Sequence, residues 1–246
     1  MNGRELVYLF PADVLAGSGS EKSRQSSEGL QPFGRRQEVR ANEELRTLRT
    51  QPNALSAEEC RTVIALGEAR PRMAGRADIV PGHYRASHIA WIEPQPEVQW
   101  LFHRVGMLFA MANRHYGFEL IGMLDPIQYT SYGPGEHFDW HMDLGSGQTS
   151  TRKLSLTIQL SGHDEYEGGI LEFVATSMSP ESRRLGAAVF FPAFVAHRVS
   201  PVSSGLRRSL VAWACGHAFR EGDKSERCPG RRRGQRRIWS LRGDSV

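Results

Sequence analysis

The stretch that most constrains the fold runs from Arg152 to Leu160, where polar and apolar side chains alternate without a break from Lys153 onwards. Its apolar members are Leu154, Leu156, Ile158 and Leu160, and its polar members are Ser155, Thr157 and Gln159. Successive side chains of a β-strand point to opposite faces of the sheet, so the alternation predicts a strand with one face in the core. The other face would carry the polar side chains.

Helical signals precede this strand, and further short strand-like runs follow it. A helix is predicted from Ser56, which with Glu59 forms a capping-box pattern, to about Ala69. A second helix is predicted from Glu97 to Tyr116, with Gly117 as its stop. The predicted strands are 85–92, 152–160, 170–174, 187–191 and 209–214. Helices first and short strands later favour a mainly β fold, an antiparallel core supported by N-terminal α-helices.

The size and composition fit a water-soluble domain. The chain has 246 residues, of which 39% are hydrophobic and 24% charged, enough for one sizeable core. No run approaches the roughly 18 apolar residues of a membrane helix, so no membrane role is expected. Three widely spaced cysteines, Cys60, Cys215 and Cys228, argue against a disulfide framework and predict a cytoplasmic protein.

Three segments are expected along the chain. Residues 1–45 are rich in Ser, Gln and Gly and predict a poorly ordered extension, whereas residues 46–220 would form the folded domain. The third segment, 221–246, is basic: residues 220–246 hold nine Lys/Arg and four Asp/Glu, while the whole chain has a net charge of +4. Such a run is typically a solvated, disordered tail, so nucleic acid is an unlikely partner.

Two His-x-Asp pairs lie close together in the middle of the chain. In a strand, residues i and i+2 share a face, so His141 and Asp143 could bind one metal ion, with His197 from a neighbouring strand as third ligand. Two imidazoles and one carboxylate suit a non-haem Fe(II) centre with open positions. His137 and Asp139 form the same pattern. Residue chemistry alone does not choose between the pairs.

The order of several short motifs resembles a known family. They are Gln128, Tyr132-x-x-Gly135, His141-x-Asp143, Gly168-Gly169, Phe191-Pro192, His197-Arg-Val-x-Pro-Val202, Gly205-x-Arg207-x-Ser209 and Leu210-Val-Ala-Trp213. The chain resembles the 2-oxoglutarate- and Fe(II)-dependent dioxygenases, on the prolyl 4-hydroxylase-like branch. The resemblance covers about 55–219 and is strongest over 128–216. It implies a double-stranded β-helix (jelly roll) core with N-terminal α-helices.

The resemblance also selects the metal ligands. In the family pattern the ligand histidine stands nine residues after the tyrosine of Tyr-x-x-Gly, and nine residues after Tyr132 is His141. It therefore implies that His141, Asp143 and His197 hold the metal and form the catalytic centre. His137 and Asp139 are then expected at the rim of the site or in a loop.

The co-substrate residues are likewise implied by the resemblance. Arg207 would anchor the distal carboxylate of 2-oxoglutarate, with Ser209 on the same face of the strand and Arg208 turned to solvent. The classical prolyl 4-hydroxylases have lysine at this distance, so Arg207 is a departure that keeps the charge and offers bidentate geometry. Tyr132 would hydrogen-bond the same co-substrate, although Tyr129 competes for that role.

A hydroxylase is the activity that the resemblance implies. The enzyme would use Fe(II) as cofactor and 2-oxoglutarate and O2 as co-substrates, and ascorbate is a candidate reductant. The reaction would hydroxylate an unactivated C–H bond of a prolyl or other amino-acid residue in a peptide or protein, or of a peptide-like or amino-acid-like small molecule. Two alternatives stay open, a non-catalytic β-barrel binding module and a zinc-dependent hydrolase with the same ligands. The sequence does not indicate the oligomeric state.

Overall fold

The computed structural model describes residues 7–10, 45, 47–74, 85–174 and 176–218. Strands dominate this part of the chain, and two α-helices accompany them, so the predicted mainly β class is confirmed. The helices are α1 (Ala57–Glu68) and α2 (Gln99–Tyr116). The strands are β1 (Tyr8–Leu9), β2 (Arg49–Gln51), β3 (Met73–Ala74), β4 (Arg85–Ala86), β5 (His88–Ile92), β6 (Gly122–Met123), β7 (Ile127–Tyr132), β8 (His137–His141), β9 (Arg152–Gln159), β10 (Tyr166–Gly168), β11 (Leu171–Phe173), β12 (Ala188–Pro192), β13 (His197–Val199), β14 (Val202–Gly205) and β15 (Arg207–Cys215). Short 3-10 turns span Pro96–Val98, Gly147–Thr151 and Pro180–Arg183.

The two helices begin and end where local side chains satisfy their backbone. The Ser56 hydroxyl accepts the Glu59 N–H at 3.1 Å and the Glu59 carboxylate accepts the Ser56 N–H at 2.7 Å, which is the predicted capping box of α1. The other oxygen of Glu59 pairs with Arg104 of α2 at 2.9 Å. Helix α2 begins two residues after the predicted Glu97, and it ends at Gly117 with φ of 68°.

The larger sheet carries both the core and one wall of the site. In the described residues its strand order is β2-β12-β9-β15-β7-β5-β3, with β6 on β15 and β1 on β6. The apolar face of β9 packs on the helices, as Leu154, Leu156 and Ile158 are fully buried in one cluster with Leu101 and Phe109 of α2. The predicted alternation is therefore confirmed. The polar face of β9 is directed away from the helices, towards the smaller sheet.

A smaller sheet lies over that polar face. Its order is β11-β13-β8-β4, while β10 and β14 pair separately. The two layers meet where the rings of Phe173 on β11 and Phe191 on β12 contact each other, with centroids 4.8 Å apart. No strand ladder of the described residues joins the larger and smaller sheets, so the sandwich is open at the β11 edge.

Two features differ from the expectations. Residues 7–10 belong to the predicted loose extension, yet β1 pairs with β6 and the Phe10 side chain is only 2% exposed. The expectation of a loose segment therefore does not hold for residues 7–10, because Phe10 is buried in the core and Val7 and Tyr8 pack against it. The predicted strand 85–92 is broken at Ser87 into β4 and β5, which pair with different sheets. Ser87 is buried and accepts a hydrogen bond from Arg85 at 2.8 Å.

The structure does not test most of the expectations for the two ends of the chain. The basic tail 221–246 lies outside the described residues, and so does most of 1–45. Within the described ranges no helix combines the length and apolar character that crossing a membrane requires.

The capping box gives a test of the helical layer. Ser56→Ala should lower the free energy of unfolding by about 1 kcal/mol, because the Glu59 N–H in the first turn of α1 loses its acceptor. Chemical denaturation measures the change, and Ser204→Ala is the control, since Ser204 is exposed on β14. Equal stability of the two variants would contradict this account of the cap.

Candidate metal centre

Three potential ligands converge between the sheets. His141 ends β8, His197 begins β13, and the two are cross-strand partners. Asp143 lies in the bend just after β8, while Met142 between them is 57% exposed. One ligand atom from each of the three residues lies within 4.8 Å of the others. The Asp143 carboxylate oxygens are 3.9 Å and 3.7 Å from the Nε2 atoms of His141 and His197.

Both imidazoles are fixed by backbone carbonyls on their far side. The Nδ1 atom of His141 is 2.7 Å from the carbonyl oxygen of Asp139, and that of His197 is 3.0 Å from the carbonyl of Val195. A carbonyl only accepts, so each Nδ1 carries a proton and donates it. The lone pair of each Nε2 then faces the cluster, the arrangement that metal-binding histidines adopt.

The protonation states suit a cation as well. Burial, followed by the neighbouring His197, lowers the pKa of His141 to about 4, so its imidazole is neutral near pH 7. Burial raises the pKa of the Asp143 carboxyl, but the nearby imidazoles, Arg152 and the Ser155 hydroxyl outweigh it, so the pKa lies below its ordinary value. The cluster therefore presents two imidazoles, with that of His141 neutral near pH 7, and one carboxylate, which is a fitting donor set for Fe(II).

Neighbouring side chains hold Asp143 in place. The Ser155 hydroxyl, from the polar face of β9, donates to its carboxylate at 2.6 Å. Arg152 at the start of β9 donates to the Asp143 carbonyl at 3.4 Å. The Arg152 guanidinium is itself fixed by two hydrogen bonds to Asp125, at 3.0 and 2.8 Å, and it lies 3.8 Å above the Trp213 ring. Residues of the larger sheet thus orient Asp143, a candidate ligand that follows strand β8 of the smaller sheet.

The competing His-x-Asp pair is engaged elsewhere. The His137 ring lies 3.1 Å from the carbonyl of Gly135, and the Asp139 carboxylate accepts the N–H of Trp140 at 2.7 Å. Among the described residues, His141, Asp143 and His197 are the group of three such side chains close enough to share an ion.

A cavity of about 530 Å³ adjoins the cluster without including the three ligands in its lining. At its near end is Phe173, whose ring centroid is 5.8 Å from that of His197. Thr157 and Gln159, from the polar face of β9, are also part of the wall, and so is Arg207. The size is within the usual range for small-molecule sites.

Arg207 is a buried cation for which the described residues provide no anion. Its side chain is 2% exposed, its Nε has no hydrogen-bond partner, and its Nη1 makes one long contact of 3.4 Å to Ser209. No described carboxylate forms an ion pair with it. A buried charge without a partner is costly, so a carboxylate ligand would fit this position. The distal carboxylate of 2-oxoglutarate has the required charge and can accept two hydrogen bonds from one guanidinium.

The two candidate tyrosines lie on opposite faces of β7. Tyr132 is the cross-strand partner of Arg207, whose guanidinium carbon is 5.5 Å from the centre of the tyrosine ring. The Tyr129 hydroxyl instead donates to Glu68 of α1 at 3.3 Å. Of the two, Tyr132 shares the face of Arg207, but it does not line the cavity. A hydrogen bond from Tyr132 to the co-substrate stays a prediction.

Arg208 differs from the expectation of a solvated side chain. It does lie on the opposite face from Arg207, as predicted, but there it forms ion pairs with Glu68 and Glu165 at 3.2 and 3.5 Å. These pairs connect β15 with α1 and with the residue before β10.

Sequence reasoning did not assign several polar side chains to the site. Thr157 and Gln159 carried a signal, because they continue the polar face that also contains Ser155. Tyr166, whose hydroxyl accepts a hydrogen bond from Gln159 at 2.8 Å, and Arg183 carried none, since Tyr166 begins β10 and Arg183 belongs to the connection between β11 and β12.

Comparison with known proteins agrees with this geometry. Residues 127–215 match the 2OG-Fe(II) oxygenase superfamily model. A PKHD-type hydroxylase of Synechococcus sp. (strain CC9605) is 32% identical over 110 residues, which cover 44% of this chain and 50% of that protein. A PKHD-type hydroxylase of Hyphomonas neptunium is 39% identical over 87 residues, or 33% and 38% of the two chains. The chain thus spans half or less of the length of these curated relatives.

Solved structures show a similar fold. A prolyl-4-hydroxylase from Pseudomonas putida superimposes with a TM-score of 0.56 at 23% identity, covering 70% of this chain and 94% of that one. A Trichoplax adhaerens prolyl hydroxylase, in complex with a hypoxia inducible factor oxygen degradation domain peptide fragment, gives 0.53 at 16%, covering 68% and 83%. The predicted double-stranded β-helix fold and the resemblance to the Fe(II) oxygenases are confirmed.

The hydrogen bond from Ser155 to Asp143 gives a test of the metal centre. Ser155→Ala should weaken Fe(II) binding roughly 10–100-fold, as expected when a ligand loses the partner that orients it. Competition with a chelator under anaerobic conditions measures the affinity. Thr157→Val removes a hydroxyl from the next position of the same face and should leave the affinity unchanged. An unaltered affinity of Ser155→Ala would show that this hydrogen bond does not support the ligand.

Gly169 gives a test of the arginine end. Its φ is 55°, and a Cβ there would lie 2.9 Å from the Cδ atom of Arg207. Gly169→Ala should therefore displace Arg207 and weaken 2-oxoglutarate binding, beside a backbone strain of roughly 1 kcal/mol. Gly117→Ala is a matched control, because φ is 68° there and no atom lies within 4 Å of the added carbon. Calorimetric titration should show weaker binding in the first variant alone, and equal binding in both would contradict a role for the cavity.

Proposed function

We propose that this chain, whose residues 127–215 form a 2OG-Fe(II) oxygenase superfamily domain, is a 2-oxoglutarate-dependent dioxygenase that hydroxylates an unactivated C–H bond. The observation that carries the proposal is the arrangement of His141, Asp143 and His197 beside a cavity whose wall includes Arg207, a buried arginine with no carboxylate partner among the described residues. Neither feature alone would point to this chemistry, but together they supply an iron site and an anchor for a dicarboxylic acid.

Separate residues of the chain would bind the metal and the co-substrate. His141, Asp143 and His197 hold the metal, and the carbonyls behind the two imidazoles keep their Nε2 atoms directed at it. Arg207, with Ser209 beside it, binds the distal carboxylate of 2-oxoglutarate, and Tyr132 is the proposed additional contact. Bound Fe(II), 2-oxoglutarate and O2 would supply oxidative decarboxylation of the co-substrate coupled to hydroxylation. Ascorbate would serve as an external reductant.

The proposed substrate is a prolyl or other amino-acid residue in a peptide, a protein or a peptide-like small molecule. Two similarities support this proposal. The curated relatives are named hydroxylases, and one protein with a similar fold was solved in complex with a peptide fragment. Met142, which is 57% exposed, and the partly exposed Trp140 are the chain neighbours of His141, and Trp140 also lines the cavity. These side chains would offer an apolar surface to such a substrate.

The two alternative functions explain less of the site. Zinc accepts two histidines and a carboxylate, but a zinc hydrolase would leave the buried guanidinium of Arg207 without a role. A non-catalytic binding module would not need both imidazoles fixed with their Nε2 lone pairs towards one point. A cytoplasmic location is part of the proposal, supported by Cys60 and Cys215, which are free and buried.

The experiment measures turnover. Anaerobically purified protein receives Fe(II), 2-oxoglutarate labelled at its 1-carboxylate, air and a peptide library in which half of the members contain proline. We expect release of labelled CO2, more of it with peptides, and a gain of one oxygen atom in the peptides that are substrates. The comparison of the two library halves distinguishes prolyl from other residues.

The controls separate the iron site from its surroundings. His197→Ala should abolish CO2 release because one of three ligands is lost, whereas His137→Ala should retain it. CO2 release by the wild type no faster than by His197→Ala, with and without peptides, would contradict the dioxygenase assignment.

A further inference from the structure

A second arginine borders the cavity that contains Arg207. Arg183 is the last residue of the 3-10 turn Pro180–Arg183, in the connection between β11 and β12. Much of this connection, including Met178, Pro180 and Arg183 itself, forms one wall of the cavity.

The guanidinium of Arg183 likewise has no anionic partner in the part of the chain that the structure describes. Its Nε is buried without a hydrogen-bond partner, as is that of Arg207. Within the described ranges its contact is with an aromatic ring, since its Cζ lies 6.0 Å from the centre of Tyr166. Glu172 is the acidic residue of the cavity wall, and it forms an ion pair with Arg198. The wall therefore has two cations for which the described residues provide no carboxylate.

Tyr166 lies near both Arg183 and Arg207. A point beside Gly169, where a Cβ would stand, is 2.9 Å from the Cδ atom of Arg207 and 3.3 Å from the Tyr166 ring. The ring of Tyr166 is thus close to the stem of one arginine and is approached by the guanidinium of the other. Because its hydroxyl accepts a hydrogen bond from Gln159, the hydroxyl hydrogen is available for an anionic ligand.

We propose that Arg183 is a second cationic contact for the distal carboxylate of 2-oxoglutarate and acts together with Arg207 and Tyr166. The inference rests on the proposed function, because it assigns a further positioning residue to the same co-substrate. A carboxylate accepts up to four hydrogen bonds, so two guanidinium groups and one hydroxyl can share it. The ligand would then link the 176–183 connection to the larger sheet.

The first experiment is a calorimetric titration of the Fe(II)-loaded protein with 2-oxoglutarate in the absence of O2. Arg183→Gln should raise the Kd roughly ten- to hundredfold, the range expected when a charge-assisted hydrogen bond is lost. The Kd of Arg183→Lys should lie between those of the wild type and Arg183→Gln, since lysine keeps the charge but lacks the planar guanidinium. The matched control is Arg184→Gln, which removes the same charge from an exposed neighbour and should bind like the wild type.

A second ligand identifies the group that Arg183 binds. 2-Oxopentanoate has the same chain length and the same 2-oxo acid end but lacks the distal carboxylate. Its weaker affinity should be equal in the wild type and in Arg183→Gln. Loss of affinity for both ligands to the same degree would overturn the assignment, because it would indicate a structural effect and not a contact with the distal carboxylate.

Protection from trypsin tests the inference in the wild-type protein, where no variant has to fold. 2-Oxoglutarate should slow cleavage after Arg183 and Arg184, and 2-oxopentanoate should not. An unchanged Kd in Arg183→Gln, with no protection by 2-oxoglutarate, would overturn the inference and would favour a carboxylate of the substrate as the partner of Arg183. Failure of the wild type to bind 2-oxoglutarate at all is a different result, which would overturn the proposed function and the inference together.

Discussion

Strand β9 is the element on which the other features of this structure depend, because its two faces serve different purposes. Leu154, Leu156 and Ile158 fix it against the helical layer, so it cannot rotate or shift by one residue without burying polar groups in the core. The opposite face then has a fixed position. Ser155 reaches the Asp143 carboxylate, while Thr157 and Gln159 line the cavity that leads to Arg207. The hydrophobic core thereby sets the spacing between the metal centre and the arginine.

Buried charge is the second constraint, and it connects the fold with its ligands. Asp143 and Arg207 are both nearly inaccessible to water, and each lies where a ligand of opposite charge would compensate it. Asp143 has partial compensation from a hydroxyl and from Arg152, whereas Arg207 has a single long contact to Ser209. A protein that keeps an uncompensated arginine in its interior accepts a loss of stability. Binding of a dicarboxylic acid would remove that penalty, which couples ligand binding to stability.

The sequence predicted the parts of the site that depend on local patterns, and it could not predict those that depend on distant contacts. The alternation of β9 and the capping box of α1 are local, and both are found as expected. The choice of His141 over His137 required the family resemblance, because both share one face of a regular strand. The sequence also did not indicate that the Tyr129 hydroxyl bonds to Glu68, because this contact joins β7 to α1. Arg183 has no local pattern, and its place in the cavity arises from how the connection between β11 and β12 returns to the sheet.

The measurement that tests the central claim most directly is an anaerobic titration of the metal-free protein with Fe(II) and then 2-oxoglutarate, followed by visible absorption. The account predicts a weak charge-transfer band that needs both additions, because one iron must contact the protein ligands and the 2-oxo acid at once. His141→Ala should lose the band, Arg207→Gln should require much more 2-oxoglutarate, and His137→Ala should behave as the wild type. A folded wild-type protein that shows no band at saturating Fe(II) and 2-oxoglutarate would contradict the account.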